Sequence, residues 1–192
     1  MNASAPHEQI FVRQPPMLAN IITFQAGWFI CVLGAANGWN WLGVIAALVV
    51  VVRHLYTAVD PLAECKLIMA AVATGFVWDS LLALQGWLTF PNGSVIEGFA
   101  PSWILALWLM FATTLNVSLR WLRPKLWTAM LLGAVFGPLS YWGAMRLGAV
   151  EFVRPTAALL MLAAGWALIM PLLMLLASRF DGAARPARMS QR

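Results

Sequence analysis

The stretch Gly75-Phe76-Val77-Trp78-Asp79-Ser80-Leu81 carries one carboxylate in an otherwise apolar run. A charge near the centre of a bilayer costs about 2.5 to 3.5 kcal/mol on insertion scales, so Asp79 is expected to face protein or water rather than lipid. On a helix its neighbours three and four residues away are Gly75, Phe76, Leu82 and Ala83, which sets it on a small-residue stripe turned toward other helices. Arg146 lies near the end of a later apolar run, with Tyr141 about one turn deeper. Three arrangements follow. Arg146 and Asp79 can form an ion pair that fixes two helices; Arg146 can anchor at the headgroups; or Asp79, Arg146, Tyr141 and Gln85 form the polar lining of an outward-facing pocket. Trp28, Trp78, Trp108, Trp142 and Trp166 also fall inside apolar runs, where an indole N–H needs a partner. They are packing bulk or, together with a carboxylate, a cage for a cationic or amphipathic ligand. The candidate ligand-binding set is therefore Asp79, Trp78, Tyr141, Arg146, Gln85, Trp28 and Trp142.

A second polar group collects toward the other ends of the apolar runs: Asn20 with Thr23, then Arg53 and His54, then Asn116 and Arg120. With His7 and His54 as the two histidines, no ligand set at metal-binding spacing exists, and no metal or other cofactor is expected. Cys31 and Cys65 fall near opposite faces of the membrane, too far apart for a disulfide. Neither a G-x-S-x-G elbow nor an H-E-x-x-H helix occurs. An enzyme would have to rely on Asp79.

The elements that must position these residues are legible in the composition. Of the 192 residues, 62% are hydrophobic and 10% charged, with mean hydropathy +0.80. Soluble domains carry about 25% charged residues, so the chain reads as an all-α polytopic membrane protein. Apolar windows predict six spans: Met17 to Ala36, Trp39 to Ala58, Glu64 to Leu88, Ser102 to Leu122, Leu126 to Gly148 and Pro155 to Phe180. They form one domain over 17–180, between a polar tail over 1–16 and a basic tail over 181–192. The connection from Thr89 to Pro101 is long enough for a small lid, and Pro138 and Pro171 interrupt the last two spans. With the N-terminus in the cytoplasm, ten Lys and Arg fall on the cytoplasmic side and two, Arg146 and Arg154, outside. That asymmetry predicts both termini inside. It also accounts for the net charge of +5 without a nucleic-acid partner, since basic segments are drawn to anionic headgroups. The N-terminal residues lack the basic start of a signal peptide, and the first span is expected to remain as an anchor. Trp39, Trp41, Trp87, Trp103, Trp121 and Trp127 mark the interfaces.

Each odd-numbered span holds glycines eleven residues apart: Gly27 and Gly38, Gly75 and Gly86, Gly137 and Gly148. This pattern suggests three helical hairpins of common descent, although plain small-residue packing, as in Gly133-x-x-x-Gly137, accounts for it equally well.

The segments Phe24-Gln25-Ala26-Gly27-Trp28-Phe29, Leu107-Trp108-Leu109-Met110-Phe111-Ala112-Thr113-Thr114-Leu115 and Gly137-Pro138-Leu139-Ser140-Tyr141 resemble a family of bacterial inner-membrane proteins classified only as a domain of unknown function. The resemblance covers nearly the whole chain and brings no catalytic residues with it. Its members are often encoded beside genes for modified fatty acids, which implies a lipid-related role. A more distant similarity, carried by Gly75-x-x-x-Asp79, is to small six-helix bundles of cell-shape and vitamin-import systems. The functional expectation is binding or transport of a lipid-like or small amphipathic molecule. The alternatives are a scaffold or auxiliary subunit for membrane lipid or fatty-acid enzymes and, third, an intramembrane lipid-modifying enzyme. Membrane lipids, a membrane-protein partner or a second copy are the expected partners.

Overall fold

The computed structural model describes residues 16–94 and 96–183. Of the basic residues and histidines considered above, His7 and Arg13 in the first tail, and Arg185, Arg188 and Arg192 in the last, lie outside the described residues. Six helices form the body: α1 (Met17–Ala36), α2 (Asn40–Thr57), α3 (Pro61–Leu84), α4 (Ser102–Leu115), α5 (Leu126–Arg146) and α6 (Pro155–Arg179). Four of them, α1, α2, α3 and α6, are long and apolar enough to cross a membrane. Side chains such as Ile22, Val49, Val52, Leu131, Phe136 and Leu168 are exposed on the outside of the bundle. An apolar exterior of this kind suits a hydrocarbon surrounding rather than water.

Local chemistry explains where the boundaries depart from the predicted spans. The third helix starts three residues before Glu64 because Asp60 caps it, its carboxylate accepting from the backbone N–H of Leu62 and Ala63, with Pro61 in the first turn. It ends four residues before Leu88, where Gly86 takes a left-handed conformation (φ +64°). Gly38 and Gly148 do the same at the ends of α1 and α5. All three ends close with one pattern: the glycine N–H bonds three residues back and the following N–H five back, as in Trp39 to Gly34, Trp87 to Leu82 and Ala149 to Ala144.

The fourth helix stops at Leu115 instead of Leu122. Thr113 and Thr114 turn their hydroxyls back onto the carbonyls of Met110 and Phe111, and the chain continues through a 3₁₀ turn at Arg120–Leu122. Fourteen residues span about 21 Å, short of the roughly 30 Å of a hydrocarbon core. Helix α4 is the central helix, packed against α1, α2, α3 and α6, so its irregular end is sheltered by protein.

The chain is not purely helical. Leu88–Thr89 (β1) pairs antiparallel with Glu151–Phe152 (β2), joining the α3–α4 and α5–α6 connections at one end of the bundle. The carbonyl of Trp87 accepts from Val153 and Arg154 beside it. The 89–101 connection folds down over this ribbon end: Phe90 and Ala100 are buried, Asn92 donates to the Ala35 carbonyl at 3.0 Å, and Trp103 Nε1 donates to the Asn92 carbonyl at 3.3 Å.

Candidate functional site

A cavity of about 630 Å³ lies between α1, α4, α5 and α6. Helices α1 and α5 are not packed directly together there. They are bridged by Trp28 Nε1, which donates to Ser140 Oγ at 3.2 Å. The back wall is aromatic. The Trp108 and Trp166 rings stack at 5.1 Å with an interplanar angle of 8°, and Phe111 stands edge-on to both.

Glycines on the odd-numbered helices make this wall possible. A Cβ on Gly75 would fall within the Trp108 ring, and one on Gly137 within the Trp166 ring. Gly27 likewise receives the Met110 thioether. The first glycine of each eleven-residue pair is therefore a socket for a large side chain, and the second is the helix terminator. At Gly133, one turn before Gly137, the α6 backbone itself comes close, the Trp166 carbonyl standing where a Cβ would be.

Asp79 is fully buried behind the wall, outside the cavity lining. Its Oδ2 accepts from Trp108 Nε1 at 2.7 Å, and its Oδ1 accepts from the Tyr141 hydroxyl. Both donors belong to residues of the cavity wall. Of the three arrangements, the Asp79–Arg146 ion pair is not the one found: the Arg146 guanidinium lies over the Trp142 ring, 5.9 Å from its centroid, and Trp142 is exposed. Five residues separate Tyr141 from Arg146, about 140° around a helix, whereas Trp142 and Arg146 share a face. Gln85 is corrected. It is the exposed C-cap of α3, a helix that contributes no residue to the cavity lining. Trp78 packs its ring where Gly165 of α6 leaves room and lies away from the cavity.

Of the seven expected residues the structure thus brings together Trp28, Tyr141 and, one layer back, Asp79. In the sequence Trp108 is legible only as an interior tryptophan, and Ser140 carries no signal of its own. What identifies Trp108 is Asp79 itself, since a buried carboxylate needs N–H or O–H donors.

The second polar group is a clasp at the opposite end. Glu64, fully buried, accepts from His54 Nε2 at 2.7 Å, Asn116 Nδ2 at 2.5 Å and the Gly182 backbone N–H at 2.9 Å. Asn116 also donates to the Phe180 carbonyl at 2.9 Å and accepts from Arg123, which donates through Nη1 to Asp181 at 2.9 Å. Arg120 holds the other Asp181 oxygen. Burial alone would raise the Asp181 carboxyl, but the hydrogen bond and charge of Arg123, then Arg120, outweigh it and hold it below the usual carboxylate range. The Gly182 carbonyl accepts from the Val59 and Asp60 N–H groups. Residues 181–183 therefore belong to the bundle and not to a free tail.

Next to the clasp, Asn20 accepts from Ser118 Oγ at 2.6 Å and donates to the Thr113 carbonyl at 3.4 Å. His54, Asn116 and Arg120 are joined through Glu64, Arg123 and Asp181, whereas Asn20 bonds separately to Ser118 and Thr113. Arg53 is exposed and stands outside the network, one residue and about 100° around α2 from His54. Glu64, Arg123, Asp181 and Ser118 complete the cluster and are not foreshadowed by the sequence, because they come from a first helical turn, a loop and the start of a tail.

No curated protein and no solved structure matches the chain. A family model does, over residues 17–172, which covers α1 through most of α6 with the whole cavity wall inside it. The chain belongs to the family described as protein of unknown function, DUF2878.

Proposed function

We propose that this chain crosses a bacterial cytoplasmic membrane six times, with both termini in the cytoplasm, and binds or passes on a lipid-like or small amphipathic molecule held between α1, α4, α5 and α6. The observation that carries the proposal is the cavity. Its volume of about 630 Å³ is within the roughly 300 to 1,000 Å³ of small-molecule sites, and its lining is apolar and aromatic with few polar groups, among them Gln25, Ser140 and Tyr141. Arg53, Lys66, Arg120, Arg123, Lys125 and Arg179 lie at the clasp end against Arg146 and Arg154 at the ribbon end, which supports a cytoplasmic clasp. Membrane lipid is the natural source of the ligand, and a protein partner or second copy would receive it.

Two competing readings have less support. A scaffold docking through the small-residue faces would find Gly27, Gly75 and Gly137 already covered by Met110, Trp108 and Trp166 of the same chain. An enzyme using Asp79 as acid or base would need that carboxylate to reach substrate, and it is sealed behind the wall.

Native mass spectrometry of the detergent-extracted protein tests the proposal. Wild type is expected to carry an apolar adduct. Leu132→Trp, which fills the cavity from α5, is expected to lose the adduct while its unfolding midpoint stays within about 5 °C, roughly 1 to 2 kcal/mol for a chain of this size. A full adduct in Leu132→Trp, or no adduct in either protein and no stabilisation by added lipid, refutes the proposal.

A further inference from the structure

The walls of the cavity carry no Lys, Arg, His, Asp or Glu. The nearest formal charge behind the aromatic wall is Asp79, and its two oxygens accept from Trp108 and Tyr141 with no cationic partner among the described residues. Both donors turn their N–H and O–H away from the cavity and into that carboxylate. What Tyr141 leaves for a ligand is therefore a phenolic oxygen lone pair and ring surface, both electron-rich, while the Trp108 ring is held between Gly75 and the stacked Trp166. Trp28 spends its N–H on Ser140. Trp166 Nε1 is buried with no partner among the described residues and would serve one neutral acceptor oxygen, but a single indole N–H does not compensate an anion.

The geometry points to an amphiphile with a cationic head, an alkylammonium in chemical terms, as the ligand of this cavity, the ammonium lying near Tyr141. Its chain would run along Phe24, Leu107, Leu132 and Phe136, all of which line the cavity. An ammonium gains from the ring quadrupoles and from the carboxylate one layer back, while a carboxylate or phosphate head meets repulsion from Asp79 and no counter-charge. Asp79 is thus a positioning residue. It fixes the direction of the Tyr141 and Trp108 donors and sets the sign of the field, without touching the ligand. This assignment rests on the binding proposal above and narrows it to a headgroup.

The test uses the full chain in phosphatidylcholine nanodiscs with three probes of equal chain length: dodecylammonium, dodecanol and dodecanoate. Thermal unfolding followed by circular dichroism reads binding as an upward shift in midpoint. Dodecylammonium is expected to give half of its maximal shift at a concentration at least tenfold below either other probe, and this preference is expected to fall at least fivefold in Asp79→Asn and in Tyr141→Phe. If Asp79→Asn does not fold, Tyr141→Phe carries the test, because it removes the phenolic oxygen and its donated bond while keeping the ring. Equal binding of the three probes, or a preference for dodecanoate, overturns the headgroup assignment but leaves the cavity as a binding site. A preference for dodecylammonium that persists in every variant that folds overturns the role of Asp79 and Tyr141. No shift with any probe overturns the binding proposal itself.

Discussion

Replacing Glu64 by alanine removes the acceptor on which three separate parts of the chain converge. His54 of α2, Asn116 beyond α4 and the backbone N–H of Gly182 beyond α6 all donate to its two oxygens, at 2.7, 2.5 and 2.9 Å, and the side chain is fully buried. A buried donor left unpaired costs about 1 to 3 kcal/mol, and water entering the space recovers part of it. Taking about 4 kcal/mol and about 2 to 4 °C per kcal/mol for a chain of this length, Glu64→Ala should lower the unfolding midpoint by roughly 8 to 16 °C. Glu64→Gln keeps an acceptor for Asn116 and Gly182, and its amide can donate to the other tautomer of His54. It should lose only about 1 kcal/mol, or roughly 2 to 4 °C. The assay is thermal unfolding of both variants in the same detergent, with limited proteolysis of the C-terminal segment as a local readout. Glu64→Ala should release that segment to protease before global unfolding. A Glu64→Ala midpoint within about 2 °C of Glu64→Gln would refute the claim that this carboxylate holds the clasp.

Other perturbations separate the two roles of glycine and probe the acid limit of the clasp. Gly75→Ala places a methyl within the Trp108 ring and should destabilise by about 1 to 3 kcal/mol through overpacking, with altered tryptophan fluorescence as the wall shifts. Gly86→Ala meets no neighbour but sits at φ +64°, so it should lose about 1 to 2 kcal/mol from backbone strain and leave the fluorescence unchanged. Because the native Asp181 carboxyl is held below its unfolded value, its contribution is fully present above about pH 4 and lost as pH falls through the native value. Asp181→Asn should flatten that part of the pH dependence of C-terminal protease protection, and a profile identical to wild type would count against the Arg120–Asp181–Arg123 contact. Ser140→Ala removes the acceptor for Trp28 and should cost about 1 kcal/mol in unfolding measurements while loosening the α1–α5 opening, seen as faster exchange of bound lipid.

Much of the architecture is already written in the order of residue types. Apolar windows locate six helices, because a backbone in hydrocarbon must satisfy its own hydrogen bonds, and long apolar runs leave little choice but helix. Gly38, Gly86 and Gly148 end three of them for a local reason, a left-handed residue without a Cβ penalty. Asp79 is legible as buried through its cost to lipid. The membrane environment that the composition implies is matched by four helices apolar enough to cross.

The partners of Asp79 were decided by the tertiary fold alone. Arg146 is the basic residue that expected membrane depth brings nearest to Asp79, yet it stacks on Trp142 because helical phase carries it away from Tyr141. Trp108 reaches the carboxylate because Gly75, on a different helix, lacks a side chain there. The clasp is similar: Glu64, Asn116, Arg123 and Asp181 lie up to 117 residues apart in the chain (64 to 181), and neither apolar periodicity nor charge runs record which loop ends meet. The sequence by itself determined the six helices and the presence of a charge that could not face lipid, since those depend on each residue's own solvation and backbone freedom. Which side chains satisfy that charge, and the cavity their rings enclose, depended on helix phase and on glycine sockets filled from neighbouring helices.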